Sequence, residues 1–113
     1  MKKRLIILLI ATAMAVMMIC PAFCYGTDGG IVKIESSFTK DWEKVAYGDS
    51  GKAKMVYGFD KGLISTDYVK GYHSRRSHCA GIDFHYTKYK AAGKVAKKTR
   101  VHKDNHVLFD VAY

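Results

Sequence analysis

Hydrophobic residues recur at every second position over much of this chain, the period of a strand with one buried face. In KAKMVYGFD, Ala53, Met55, Tyr57 and Phe59 share one side, with Lys52 and Lys54 on the other. Ala80, Ile82, Phe84 and Tyr86 alternate with Gly81, Asp83, His85 and Thr87. Val95, Thr99 and Val101 alternate with charged or small residues, and HVLFDVAY places Val107, Phe109, Val111 and Tyr113 on one side. Weaker alternation covers 31–38, 42–47 and 63–72. Between the runs stand turn-forming clusters: Gly48-Asp49-Ser50-Gly51, Asp60-Lys61-Gly62 and Lys103-Asp104-Asn105. The last is short enough to join its two flanking strands as a hairpin. The alanines of YKAAGKVAKK would suit a short helix, but Gly93 in its middle costs about 1 kcal/mol there, so strand or loop is expected. Six or seven short antiparallel strands predict an all-β chain, a small β-sandwich or barrel.

The N-terminus departs from this pattern. Lys2, Lys3 and Arg4 precede an uncharged apolar run, Leu5 to Cys20, and polarity returns at Tyr25. A basic head, an apolar middle and an abrupt polar start describe a secretory signal peptide. The alternative is an uncleaved anchor, for which the run is marginal against the ~18–20 residues that a span needs. Small residues Ala22 and Cys24 suit a cut after Cys24, with a cut after Gly26 second. The expected organisation is a signal peptide over 1–24, an N-terminal extension with the first strand or strands over 25–50, and a β-sandwich over 51–113. Export implies a protein that acts outside the cell.

Removing Lys2, Lys3 and Arg4 lowers the net charge from +9 to +6. Such a surface attracts anionic partners, and outside the cell these are lipid headgroups, wall polymers or a pyrophosphate, not nucleic acid. The same cut removes Cys20 and Cys24, leaving Cys79 as the last cysteine. A single cysteine makes no internal bridge, so Cys79 is expected to be a small half-buried residue or to bond a second copy.

Chemistry-bearing residues crowd into YHSRRSHCAGIDFHY, Tyr72 to Tyr86. His73, His78, His85, His102, His106 and Cys79 include zinc-ligand types, but without the tight paired spacing of structural zinc sites. A Cys79/His78 nucleophile needs a base aimed at the sulfur, and adjacent strand residues face opposite ways. No cofactor is called for. A basic turn explains the stretch better. Arg75 and Arg76 sit between Ser74 and Ser77, and arginine offers paired donors to phosphate oxygens. Lys88, Lys90, Lys94, Lys97, Lys98, Arg100 and Lys103 add positive charge beyond it, and Tyr68, Tyr72, Tyr86 and Tyr89 add aromatic surface.

From Ser65 onward the order STDYVKGYHSRRSHCAGI, AAGKVAKKT and HVLFDVAY resembles the lactococcin-972-like bacteriocins, over roughly half of the chain. Onto that pattern fall Tyr68, Tyr72, His73, His78, Ala80, Ala92, Gly93, Ala96, Lys97 and Phe109. Cys79 stands where the family more often has serine. The family's tryptophan in the Ala-Gly segment is absent, and Trp42 lies too far upstream to replace it. The resemblance implies a secreted β-sandwich without enzyme activity, homodimers included, which binds the cell-wall precursor lipid II of competing Gram-positive bacteria and blocks septum formation. It also implies a producer protected by an immunity membrane protein and a transporter. The target-binding residues expected are Tyr68, Tyr72, His73, Arg75, Arg76 and His78. The second reading is a non-toxic basic β-module held to the producer's own envelope by charge.

Overall fold

The computed structural model describes residues 29–113. The expected signal peptide, both candidate cuts, Cys20 and Cys24 lie outside the described residues. Among those described the chain is all-β, with eight strands in place of six or seven: β1 (Gly30–Glu35), β2 (Trp42–Gly48), β3 (Ala53–Lys61), β4 (Ser65–His73), β5 (Cys79–Ile82), β6 (His85–Tyr86), β7 (Ala96–Val101) and β8 (Val107–Ala112). They form two antiparallel four-stranded sheets, ordered β1-β8-β5-β6 and β2-β3-β4-β7. No helix among the described residues is long and apolar enough to cross a membrane.

Alternation sends one side of each central strand into the space between the sheets. Ala53, Met55, Tyr57 and Phe59 of β3 are buried as the pattern predicts, and so are Val107, Phe109, Val111 and Tyr113 on and after β8. Phe109 lies at the centre, its ring 5.1 Å from Tyr57 and 5.9 Å from Trp42. Burying side chains of this size contributes about 1.5–3 kcal/mol each. The sheets close tightly at Gly71, where an added Cβ would sit 2.8 Å from Val111 and 3.4 Å from Ala80.

Three strand expectations change. The run from Ala80 to Tyr86 is a hairpin, not one strand. Asp83 and Phe84 both have positive φ (47° and 65°), as a two-residue turn between twisted strands requires, and Ile82 pairs with His85. Phe84 therefore stands at the tip, 69% exposed. Asp83 is tied to β8 by its N–H donating to the Leu108 carbonyl (2.8 Å) and its Oδ1 accepting from the Leu108 N–H (2.9 Å).

In β7 the inward side is the other one. Pairing of Gly71 with Ala96, Val69 with Lys98 and Asp67 with Arg100 points Ala96, Lys98 and Arg100 inward and leaves Val95, Thr99 and Val101 exposed. The facing strand β6 is only two residues long, so long basic side chains find room there, and the Arg100 guanidinium reaches to 4.0 Å from the Asp83 carboxylate. Finally, Lys103-Asp104-Asn105 closes no hairpin. β7 pairs with β4, whereas β8 pairs with β1 and β5, so this turn carries the chain from one sheet to the other.

Cys79 also differs from its expectation. It is disulfide-bonded and fully buried, neither half-buried nor a lone thiol.

Candidate functional site

Alternation on β2, β3, β4 and β7 builds a second surface, the outer face of their sheet. Its registers align side chains into rows that run across the strands. One row holds Asp60, Thr66 and Val101. The next holds Glu43, Gly58, Tyr68 and Thr99. Then come Val45, Val56, Lys70 and Lys97, and after them Tyr47, Lys54 and Tyr72. One end of this face is acidic and the other basic and aromatic.

The acidic end forms two adjoining grooves. One, of about 430 Å³, is lined by Asp41, Trp42, Glu43, Phe59, Asp60 and Tyr68. The other, of about 300 Å³, shares Glu43, Asp60 and Tyr68 and adds Thr66, Lys70, Lys97 and Thr99. The Tyr68 hydroxyl donates to Glu43 Oε2 at 2.6 Å, and burial together with this carboxylate pushes the phenol's pKa above its ordinary value. Asp41 Oδ1 accepts from the Lys61 backbone N–H at 2.6 Å. Sequence reasoning missed Asp41, Glu43 and Asp60. The signal for Glu43 and Asp60 was their place on the polar parity of β2 and β3, but only the register sets them beside Tyr68.

At the basic end, Lys54 Nζ sits 5.8 Å from the centroid of the Tyr72 ring, within cation–π range. Tyr47 is 65% exposed. β4 then runs out of the sheet into Ser74–Ser77, where Arg75 and Arg76 are both exposed.

His73 and His78 are placed differently from the surface role expected of them. Both are fully buried and hold the turn in shape. His73 Nδ1 accepts the backbone N–H of Arg75 (3.0 Å) and of Arg76 (2.9 Å). Its proton therefore sits on Nε2, which donates to Asp49 Oδ2 at 2.8 Å. That bond holds the Asp49 carboxyl below the usual carboxylate range. His78 faces two carbonyl oxygens, Nδ1 to Arg76 (3.0 Å) and Nε2 to Lys94 (2.6 Å). The ring thus bridges the backbone at Arg76 and Lys94. The two imidazoles fix the turn from below, and Arg75 and Arg76 project from it.

All four ring nitrogens of His73 and His78 thus face partners within the fold. Among the described residues no group of three or more His, Cys, Asp and Glu side chains is disposed to hold a metal ion. A half-buried histidine, His102, pairs with a buried carboxylate at the opposite end of the sandwich. His102 Nδ1 bonds both oxygens of Asp67 (2.9 and 3.0 Å), and its ring packs 4.2 Å from Phe38 and 5.0 Å from Phe59. Burial pushes the Asp67 carboxyl up in spite of this partner.

The surface as a whole is therefore a charge-graded sheet face, with tyrosines along it and a histidine-braced arginine turn at its basic end. Compared with known proteins, the chain matches no protein-family model, no curated protein and no solved structure.

Proposed function

We propose that this chain is a secreted antibacterial protein without enzyme activity, which docks the outer face of the β2-β3-β4-β7 sheet and its arginine turn onto an anionic component of the envelope of Gram-positive bacteria. The observation that carries the reading is the grouping of Tyr47, Tyr68 and Tyr72 with Lys54, Lys70 and Lys97 beside Arg75 and Arg76. Phosphate oxygens suit the arginine turn. Tyrosine faces suit sugar rings or an interfacial position, and the carboxylates of Asp41, Glu43 and Asp60 suit amines. A lipid-linked cell-wall precursor such as lipid II presents pyrophosphate, sugars and a peptide together, and binding it would block septum formation. Within this reading Tyr68, Tyr72, Arg75 and Arg76 touch the target, and His73 and His78 hold the turn in position.

The test uses the natural secreted protein, purified from culture, in growth-inhibition assays on Gram-positive strains and in titrations against vesicles with and without lipid II. Inhibition together with lipid II-dependent binding is expected. Binding to walls of the producing strain with no killing would replace this reading with that of a non-toxic envelope module. Neither killing nor envelope binding would end both.

A further inference from the structure

We propose that Cys24 is the disulfide partner of Cys79, and that the leader is therefore removed after Ala22, leaving a mature chain that begins at Phe23.

In β5, Ala80 and Ile82 belong to the core between the sheets. Alternation turns Cys79 and Gly81 to the other side of the β1-β8-β5-β6 sheet. An added Cβ on Gly81 would lie 2.7 Å from Oδ1 of Asp110, which is outward between the core residues Phe109 and Val111. Cys79 is nevertheless fully buried and disulfide-bonded on this side of the sheet. The chain's other cysteines are Cys20 and Cys24, and both precede Gly29.

The topology brings that part of the chain close. Gly29 exchanges both backbone hydrogen bonds with Tyr113 (3.1 and 3.0 Å). Gly30 and Cys79 flank the same residue, Ala112, on either side. Two strand spacings, about 10 Å, thus separate Gly30 from Cys79. The segment from Cys24 to Gly30 reaches about 20 Å when extended, and bridged cysteines need Cα atoms within about 7 Å. That reach exceeds the separation, so a Cys24–Cys79 bridge is within the length of the intervening chain.

Cys20 also has the reach, and processing separates the two. Cys20 closes the apolar run that a leader peptidase removes, while Cys24 lies beyond it. A cut after Ala22 puts Ala22 at −1 and Cys20 at −3, both small as the cleavage rule asks. A cut after Cys24 would strip the chain of every partner for Cys79. Outside the cytoplasm, the two thiols lose two protons and two electrons to the disulfide of a thiol–disulfide oxidoreductase, which leaves as a dithiol.

N-terminal sequencing and non-reducing peptide mapping of the secreted protein test this. We expect a monomer that starts at Phe23, two hydrogen masses lighter than its reduced form, with one cross-linked peptide pair containing Cys24 and Cys79. A start at Tyr25 or later, an intact leader, a Cys20-linked peptide or a disulfide-linked dimer would each overturn the proposal. Cys20→Ser should leave the bridge unchanged. Cys24→Ser should expose one thiol at Cys79 after unfolding, and an unreactive thiol in that variant would equally overturn the pairing. None of these outcomes depends on what the protein binds.

Discussion

The phenol of Tyr68 crosses over Gly58 to bond Glu43, so one side chain spans three adjacent strands of the β2-β3-β4-β7 sheet. Glycine is required beneath it. A Cβ at position 58 would lie 2.5 Å from both the Trp42 carbonyl oxygen and Tyr68 Cζ. Gly58→Ala is expected to cost about 1–3 kcal/mol, in the range of overpacking, and to lift the ring from its place. Tyr68→Phe keeps the ring and loses only a hydrogen bond, so it should cost about 1 kcal/mol or less. Thermal unfolding of the two variants checks the order, and equal losses would show that Gly58 is not a floor for the ring.

The arginine turn should act through charge. Arg75 and Lys97 are both exposed, and each basic residue near an anionic surface is worth about 1 kcal/mol, roughly fivefold in affinity. Arg75→Ala and Lys97→Ala should each weaken binding to anionic vesicles by about that factor at low salt, and by less as salt rises. Their melting temperatures should stay with the parent protein. Affinities insensitive to both substitutions at low salt would place the binding face elsewhere.

His78 is predicted to matter for folding and only indirectly for binding. His78→Ala removes the partner of the Arg76 and Lys94 carbonyls in part-buried bonds and leaves a cavity, and an unpaired buried group costs about 1–3 kcal/mol. A fall of several degrees or more in melting temperature is expected. A variant that melts like the parent would mean that water replaces the imidazole at no cost.

Two carboxylates should leave opposite marks on stability against pH. The hydrogen bond from His73 lowers the Asp49 pKa, so its contribution is present above the ordinary carboxylate pKa and disappears as pH falls through its lowered value. Asp49→Asn should therefore be less stable than the parent near neutrality and equal to it in strong acid. Burial raises the Asp110 pKa, although Tyr86 donates to its Oδ2 at 2.9 Å. Its Oδ1 is buried with no hydrogen-bond partner among the described residues, and the Tyr86 phenol is itself pushed up to about 12 by burial and this carboxylate. Here the protonated form is the one the fold favours. The parent should lose stability relative to Asp110→Asn as pH rises from the ordinary carboxylate range through the raised value. Melting curves between pH 3 and pH 7 check both, and a pH-independent difference for either variant would refute its assignment.

The all-β class and most of the core were legible because β3 and β8 each turn one apolar side to the core, which writes a period of two into the sequence. The same logic misled at β7. Val95 and Val101 mark an apolar parity, yet the pairing of Gly71 with Ala96 sets the register and turns that parity outward. Residue-level pattern does not encode which strand a neighbour will be. The hairpin at Asp83-Phe84 was hidden for a related reason, since a phenylalanine in the left-handed region carries no turn signature. Of the proposed binding face, the arginines and Tyr68 and Tyr72 could be picked out by type. The acidic groove needed β2 placed beside β3. His73 and His78 look like surface ligands in a basic stretch, and only their buried partners show them to be struts.

β7 forms one edge of its sheet and carries Lys97, Lys98 and Arg100 in AKKTRV, bounded by Lys94 and Lys103. A second molecule continuing the sheet antiparallel at that edge would lay its own basic row against this one, cation beside cation, with no carboxylate in either β7 strand to offset it. The positive charge along this edge therefore keeps copies of the chain from zipping together into growing sheets.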